Sequence, residues 1–235
     1  MNLIRTVLLC LVALITFFIG SILTILISFF YFPKDKVFIF QRAAIVWARL
    51  LVWISGIPIN VYGRENIPLN EPLILVSNHQ GMADILIALA ILPVRFRFII
   101  KKELFSVPIF GWYLRKSGYI PVDRGTRKGA LDMFVLSKEV LEKGESILIF
   151  PEGTRSPDGK LQEFKRGSMF LAIKNKVRVL PLAISGSFGI MPKKSYIIHS
   201  VPVQIKIGKP VSLKQYGKDS DKANEEVYRI IKEML

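Results

Sequence analysis

The run Ser77-Asn78-His79-Gln80-Gly81-Met82-Ala83-Asp84 places an imidazole and a carboxylate five residues apart, at the join of an apolar run and a helix-like run. The chain has two histidines, His79 and His199. Imidazole is the side chain that ordinarily changes charge near neutral pH, which makes His79 the candidate general base. Residues five apart on a regular helix point about 140° from each other and do not meet. They can meet if His79 lies in the loop and Asp84 in the first helical turn, with Gly81 easing the bend. Asp84 then accepts a hydrogen bond from one ring nitrogen and fixes the tautomer, and the other nitrogen is left as the base. A structural histidine beside a helix-capping aspartate is the competing reading of the same residues. His199, in Tyr196-Ile-Ile-His199-Ser200, has no acid at useful spacing and reads as structural.

A serine nucleophile of the elbow type needs G-x-S-x-G between strand and helix, and Ser185-Gly186-Ser187-Phe188-Gly189 does not match it. The chain thus offers a base without an evident protein nucleophile, so a substrate hydroxyl is expected to attack. A second constellation, Phe150-Pro151-Glu152-Gly153-Thr154-Arg155, ends another apolar run. Cations recur at such junctions: Lys101 and Lys102, Arg124, Arg155, then Lys165 and Arg166 at an expected helix start. If the strands before them are neighbours, their C-terminal ends gather positive charge along one edge, where open α/β sheets bind ligands. Arginine suits phosphate because its planar fork donates two parallel hydrogen bonds. Each cation alone is an ordinary solvated charge; their repetition favours an anion site.

The elements that must hold these residues follow from pattern. Strands are expected at Ile59–Tyr62, Leu73–Ser77, Phe96–Ile100, Tyr119–Val122, Ile147–Phe150, Val179–Ile184 and Val201–Ile207. Helices are expected at Asp84–Ile91, Lys102–Lys116, Lys128–Glu142, Lys165–Asn175 and Lys222–Met234. The alternation predicts one α/β domain over 58–235, with a central, largely buried mixed sheet flanked by helices. The 235 residues carry a formal charge of +15, and 51% are hydrophobic. That balance supplies a core and favours an anionic partner: nucleic acid, an acidic membrane surface or a phosphorylated small molecule. No helix-turn-helix, RNP or zinc-finger pattern supports nucleic acid. Cys10 is the only cysteine, so an intrachain disulfide is excluded and a clustered Cys/His metal site is not expected.

Residues 1–57 read as a membrane-associated helical pair. Thr6 to Phe32 carries no charge, and as a helix it would run about 40 Å, against a hydrocarbon core of about 30 Å. It is long for a signal-peptide core, and no small-x-small cleavage site follows. From Val37 to Ile57 an amphipathic stretch carries Arg42, Arg49, Trp47 and Trp53, residue types suited to headgroup level. Two arrangements stay open, a membrane-crossing first helix or a hairpin dipping into one leaflet. Either sets the catalytic domain against the cytoplasmic face of the plasma membrane.

Four blocks in order carry a family resemblance. Asn78-His79-Gln80-Gly81-Met82-Ala83-Asp84 resembles the N-H-x-x-x-x-D motif of glycerolipid acyltransferases. Gly118-Tyr119-Ile120-Pro121-Val122-Asp123-Arg124, Phe150-Pro151-Glu152-Gly153-Thr154-Arg155 and Val179-Leu180-Pro181-Leu182-Ala183-Ile184 resemble the second, third and fourth blocks. The subgroup resembled is 1-acyl-sn-glycerol-3-phosphate acyltransferase. The resemblance implies acyl transfer from acyl-CoA or acyl carrier protein to the 2-hydroxyl of lysophosphatidic acid, without a cofactor or metal. It implies His79 and Asp84 as catalytic residues. Lys101 or Lys102, Arg124, Glu152, Gly153, Thr154 and Arg155 are implied at the glycerophosphate pocket, with Gly153 letting backbone approach ligand. Membrane lipids are the implied surroundings and nucleic acid is not a partner. The rivals are another acceptor, such as glycerol 3-phosphate or a lysophospholipid with a head group, and a non-catalytic basic lipid- or nucleic-acid-binding protein.

Overall fold

The computed structural model describes residues 2–30, 36–123, 125–192, 195–217 and 219–235. Two long helices come first, α1 (Asn2–Phe30) and α2 (Lys36–Ser55). Then follow β1 (Ile59–Tyr62), β2 (Ile74–Ser77), α3 (Ala83–Ile91), β3 (Phe96–Lys101), α4 (Phe110–Lys116), β4 (Ile120–Val122) and α5 (Arg127–Glu142). The chain ends with β5 (Ser146–Ile149), α6 (Phe170–Asn175), β6 (Val179–Ser185), α7 (Ser187–Ile190), β7 (Val203–Ile207) and α8 (Ser220–Met234). The seven strands form one sheet in the order β1-β7-β6-β2-β5-β3-β4. Strands β6, β2, β5, β3 and β4 run parallel, and the antiparallel β6–β7 pairing makes the sheet mixed.

Alternation along β2 builds the layers. Leu73 and Leu75 point into a core shared with Ala48 of α2 and Ile87 of α3. Ile74 and Val76 point the other way, against Val140 of α5, Leu171 of α6 and Val227 and Ile231 of α8. Every residue of β2 and β5 is buried, as parallel strands covered by helices on both faces require. Pro121 is tolerated because β4 lies at the sheet edge and pairs only with β3. Side chains cap two of the covering helices: Thr126 accepts from the N–H of Gly129, and Asp219 from that of Lys222.

Two expected helices differ from the structure. The stretch Lys102–Lys116 divides into a 3-10 turn at Lys102–Ser106 and α4. Pro108 and the left-handed Ile109 (φ 60°) interrupt the helical ladder. Gly111 lets α4 lie against that turn, since a Cβ there would sit 2.2 Å from the Phe105 carbonyl oxygen. Helix α6 begins at Phe170, so Lys165 and Arg166 belong to the preceding turn, which Gly167 closes at φ 75°.

Helices α1 and α2 pack together and onto the domain. Trp47 Nε1 donates to Thr16 Oγ1 at 3.1 Å, and the Tyr113 hydroxyl of α4 donates to the Phe40 carbonyl at 2.9 Å. Arg49, expected at headgroup level, is exposed and donates to the Ala90 carbonyl at 3.1 Å, satisfying an open acceptor at the end of α3. The outward positions of α1 stay uncovered, among them Leu8, Leu14, Ile22 and Ile25. Both helices are long and apolar enough to cross a membrane.

Candidate active site

Parallel pairing of β2 with β5 brings their C-terminal loops side by side. The His79 loop follows β2, and the Phe150–Arg155 loop follows β5. They are stitched together by one backbone and one side-chain contact: Ser156 N–H donates to the His79 carbonyl at 2.8 Å, and His79 N–H to Glu152 Oε1 at 2.7 Å. Asn78 fixes the other flank, its amide exchanging hydrogen bonds with Ile184 of β6 at 2.7 and 2.8 Å. The loop is thus clamped to both neighbouring strands.

His79 and Asp84 meet as the spacing requires. His79 Nδ1 lies 2.8 Å from Asp84 Oδ2, with His79 in the loop and Asp84 in the first turn of α3. The same oxygen accepts the N–H groups of Gln80 and Gly81 at 2.7 and 2.9 Å. The carboxylate is an acceptor only, so Nδ1 carries the proton and Nε2 keeps its lone pair. Asp84 is fully buried, while the His79 side chain keeps 13% of its surface exposed. The imidazole stacks on Phe150 with ring centroids 4.1 Å apart, which fixes its plane. Gly81 serves close packing: a Cβ there would lie 2.9 Å from the Ser187 carbonyl oxygen.

His79 opens onto a cavity of about 1080 Å³. Apolar side chains form much of its wall, including Phe17 of α1, Trp47 of α2, Leu86 and Leu89 of α3 and Leu114 of α4. Cations line it too: Lys101, Arg127, Arg155, Lys165 and Arg166. An apolar cavity joined to positive charge and a poised imidazole suits an anionic amphiphile with a reactive hydroxyl.

The expected binding residues divide. Lys101, Gly153, Thr154 and Arg155 line the cavity with His79. Lys102 begins the exposed 3-10 turn and is not part of that wall. Arg124 lies outside the described residues. Glu152, expected as a substrate ligand, turns inward beneath the wall and is 4% exposed. One of its oxygens takes the His79 N–H; the other takes the backbone and side-chain N–H groups of Gln162 at 3.2 and 3.1 Å. Burial raises the Glu152 carboxyl above its ordinary range, opposed by these hydrogen bonds. Gly153 (φ 72°) adopts a left-handed turn, and the end of the Lys165 side chain lies where a Cβ on it would point. His199 is not part of the cavity wall, and its N–H donates to the Ile190 carbonyl. Arg127 had no signal beyond a helix start, and the stacking role of Phe150 none beyond the adjoining motif. Among the described residues no group of three or more His, Cys, Asp or Glu side chains is arranged to hold a metal.

Comparison with known proteins places the fold and the chain among known families. The chain is 38% identical over 168 residues to the chloroplastic 1-acyl-sn-glycerol-3-phosphate acyltransferase LPAT1 of Arabidopsis thaliana, covering 71% of this chain and 47% of that protein. It is 35% identical over 167 residues to the 1-acyl-sn-glycerol-3-phosphate acyltransferase of Pseudomonas aeruginosa, covering 69% and 64%. The chain spans about half the length of several curated relatives it matches. The crystal structure of the 1-acyl-sn-glycerophosphate (LPA) acyltransferase PlsC from Thermotoga maritima superposes with a TM-score of 0.86 at 29% identity, over 99% of this chain and 93% of that one. The Acyltransferase family model matches residues 58–185, from β1 through β6, which holds the His79–Asp84 pair, the cationic loops and the sheet that carries them; the chain belongs to the acyltransferase family.

Proposed function

We propose that this protein transfers an acyl chain from a thioester, acyl-CoA or acyl carrier protein, to the 2-hydroxyl of lysophosphatidic acid, giving phosphatidic acid. The observation that carries this reading is the His79–Asp84 pair opening onto one cavity that is apolar on one part of its wall and cationic on another.

The chemistry follows from the groups present. Nε2 of His79 takes the proton of the 2-hydroxyl as its oxygen attacks the thioester carbonyl carbon. Asp84 holds Nδ1–H and offsets the positive charge that the ring acquires. Collapse of the tetrahedral intermediate breaks the C–S bond, and the imidazolium returns the proton to the leaving thiolate. A positioned base of this kind contributes about 10²–10⁴-fold. Lys101 and Arg155 hold the phosphate and set the hydroxyl against His79, and Thr154 lies on the same wall. Gln80 and Gly81 amides already donate to Asp84, and the Gly153 amide to the Phe150 carbonyl at 3.0 Å, so these three are spent as oxyanion donors. The thioester is already activated and the transfer is redox-neutral, so the proposal includes no cofactor or metal.

The helical pair fits an amphiphilic acceptor and a lipid product. We place α1 and α2 in the membrane, with the catalytic domain on the cytoplasmic face, where basic residues gain about 1 kcal/mol each near anionic lipid. Substrate and product then move laterally without leaving the bilayer.

A donor-by-acceptor activity matrix with detergent-solubilised protein tests the reading, wild type beside His79→Ala. Turnover with lysophosphatidic acid that His79→Ala nearly abolishes is expected. Preference for glycerol 3-phosphate or for a lysophospholipid with a head group would reassign the acceptor. DNA retention without any turnover would favour a basic binding protein.

A further inference from the structure

We propose that Lys165 is a third phosphate-binding cation of the site, and that it makes the acceptor pocket selective for a phosphate monoester over a diester. The proposal rests on the acyltransferase reading above and extends it to a residue outside the four sequence blocks.

The side chain of Lys165 lies across Gly153. A Cβ built on Gly153 would fall 2.6 Å from Lys165 Cε, 2.9 Å from Cδ and 3.1 Å from Nζ. The absence of a side chain at Gly153 therefore seats the ammonium directly over the loop that carries Thr154 and Arg155. Lys165 belongs to the same cavity wall as His79, Lys101 and Arg155. No carboxylate lies within ion-pair distance of it among the described residues. Lys101, by contrast, already pairs with Glu103 at 3.1 Å.

The backbone beneath this lysine is pinned on both sides. Its N–H donates to the Pro151 carbonyl at 2.9 Å, tying it to the loop after β5. Its carbonyl accepts from Asn224 Nδ2 of α8 at 3.1 Å, and Asn224 Oδ1 accepts the Met169 N–H at 3.1 Å. Asn224 is buried. A buried amide used only to fix a turn, with a cation at its tip facing the cavity, is an expenditure that a solvated surface lysine does not need. The C-terminal helix, none of whose described residues lines the cavity, thereby supports the site from behind.

Charge count gives the selectivity. A phosphate monoester carries between one and two negative charges near neutral pH, with a second ionisation near pH 6. A diester carries one and presents fewer free oxygens. Arg155 and Lys101 suffice for a monoanion; Lys165 adds a donor that the dianion can use. A charge-assisted hydrogen bond of this type corresponds to about tenfold or more in affinity.

The test uses purified full-length protein in detergent, comparing wild type, Lys165→Met, Lys165→Arg and the surface control Lys174→Met. Lysophosphatidic acid and a lysophospholipid with a diester head group serve as acceptors, and both substrate KM values are measured. Expected for Lys165→Met is a rise of about tenfold in KM for lysophosphatidic acid, an unchanged donor KM and a narrowed preference over the diester. Lys165→Arg restores much of the loss, and Lys174→Met behaves as wild type. A donor KM that rises equally, a fall in kcat alone, or an equal loss with both acceptors overturns the proposal. A Lys165→Met protein that melts well below wild type while Lys165→Arg keeps its stability but loses acceptor affinity also overturns it. Wild type without lysophosphatidic acid turnover would overturn the reaction itself and this inference with it.

Discussion

The main-chain N–H of His79 donates to Glu152 Oε1 at 2.7 Å, while the ring of the same residue is held by Asp84. One carboxylate positions the backbone of the base and another its imidazole. The two carboxylates come from different segments, the loop after β5 and the first turn of α3. His79 is therefore located relative to the sheet by two independent contacts, and a change at Glu152 reaches its imidazole from behind the cavity wall.

Glu152 gives a pH prediction with a definite sign. Burial raises its carboxyl in the folded protein, whereas in the unfolded chain a glutamate titrates near about 4.3. Between those two values the folded state binds more protons than the unfolded state, so stability falls as pH rises through the window. Below the unfolded value both states are protonated and the burial cost is absent. The melting temperature of wild type relative to Glu152→Gln should therefore decline as pH rises from about 4 and then level off. Scanning calorimetry in detergent measures it. A difference that grows in favour of wild type over that range would contradict the buried-carboxylate assignment.

Replacing Asp84 by Asn removes the negative charge that offsets the imidazolium and puts an NH2 donor at one of the two carboxylate positions. The three hydrogen bonds to Oδ2 all need an oxygen, and an amide nitrogen placed at Oδ1 would be a buried donor, at a position where that atom has no hydrogen-bond partner among the described residues. If the amide turns instead, its N–H groups face those of Gln80 and Gly81. Turnover of Asp84→Asn should fall by about 10²–10⁴-fold, with KM for either substrate changed far less. Steady-state kinetics with both substrates varied distinguish this from a binding defect.

Much of the frame was readable before folding. Runs such as Ile147–Ile149 and Val179–Ile184 are apolar, rich in β-branched residues and bounded by turn residues, so all seven strands fall close to their expected places. The His79–Asp84 meeting was readable because it is local, five residues with a glycine between them. The inward turn of Glu152 was not. It depends on the left-handed Gly153 and on Gln162 arriving from ten residues away to supply two donors. The seat of Lys165 was hidden for the same reason, since its turn is held by Pro151 and by Asn224 of the last helix. The break at Pro108 and Ile109 was also hidden, because the segments on its two sides are both helical, a 3-10 turn before it and α4 after it.

A buried ion pair ties β3 to β5 behind the site. Arg97 donates from Nε and Nη2 to both oxygens of Glu145, at 2.6 and 2.8 Å, and from Nη1 to the Ser117 carbonyl at 2.7 Å. Arg97→Met strips these bonds and leaves Glu145 buried with, among the described residues, only the more exposed Arg95, 3.2 Å away, as an ion-pair partner. Loss of one partner of such a pair costs about 3–5 kcal/mol, and the remaining Arg95 contact places this case at the lower end. Denaturant unfolding measures the loss. Arg97 does not line the cavity, so KM for both substrates should hold in the fraction that stays folded.

The apolar part of the cavity wall gives a test of where the acyl chain lies. Gly20 of α1 belongs to that wall, and a Cβ there meets nothing within 4 Å. The first atom of a larger side chain at this position therefore meets no protein, and Leu is chosen to narrow the cavity from this wall. Gly20→Leu also replaces a poor helix former by a good one, a gain of up to about 1 kcal/mol, so the helix itself is not weakened. The space taken is lost to the chain of the bound acyl group. Each methylene forced out of an apolar site forfeits about 0.8 kcal/mol, or roughly fourfold in kcat/KM. Donors long enough to reach Gly20 should lose activity steeply with each added carbon pair, while shorter donors keep wild-type rates. A chain-length series of acyl-CoA donors on Gly20→Leu and wild type reads this directly. A uniform loss across all lengths would place the acyl chain elsewhere, and would detach α1 from the recognition of the donor.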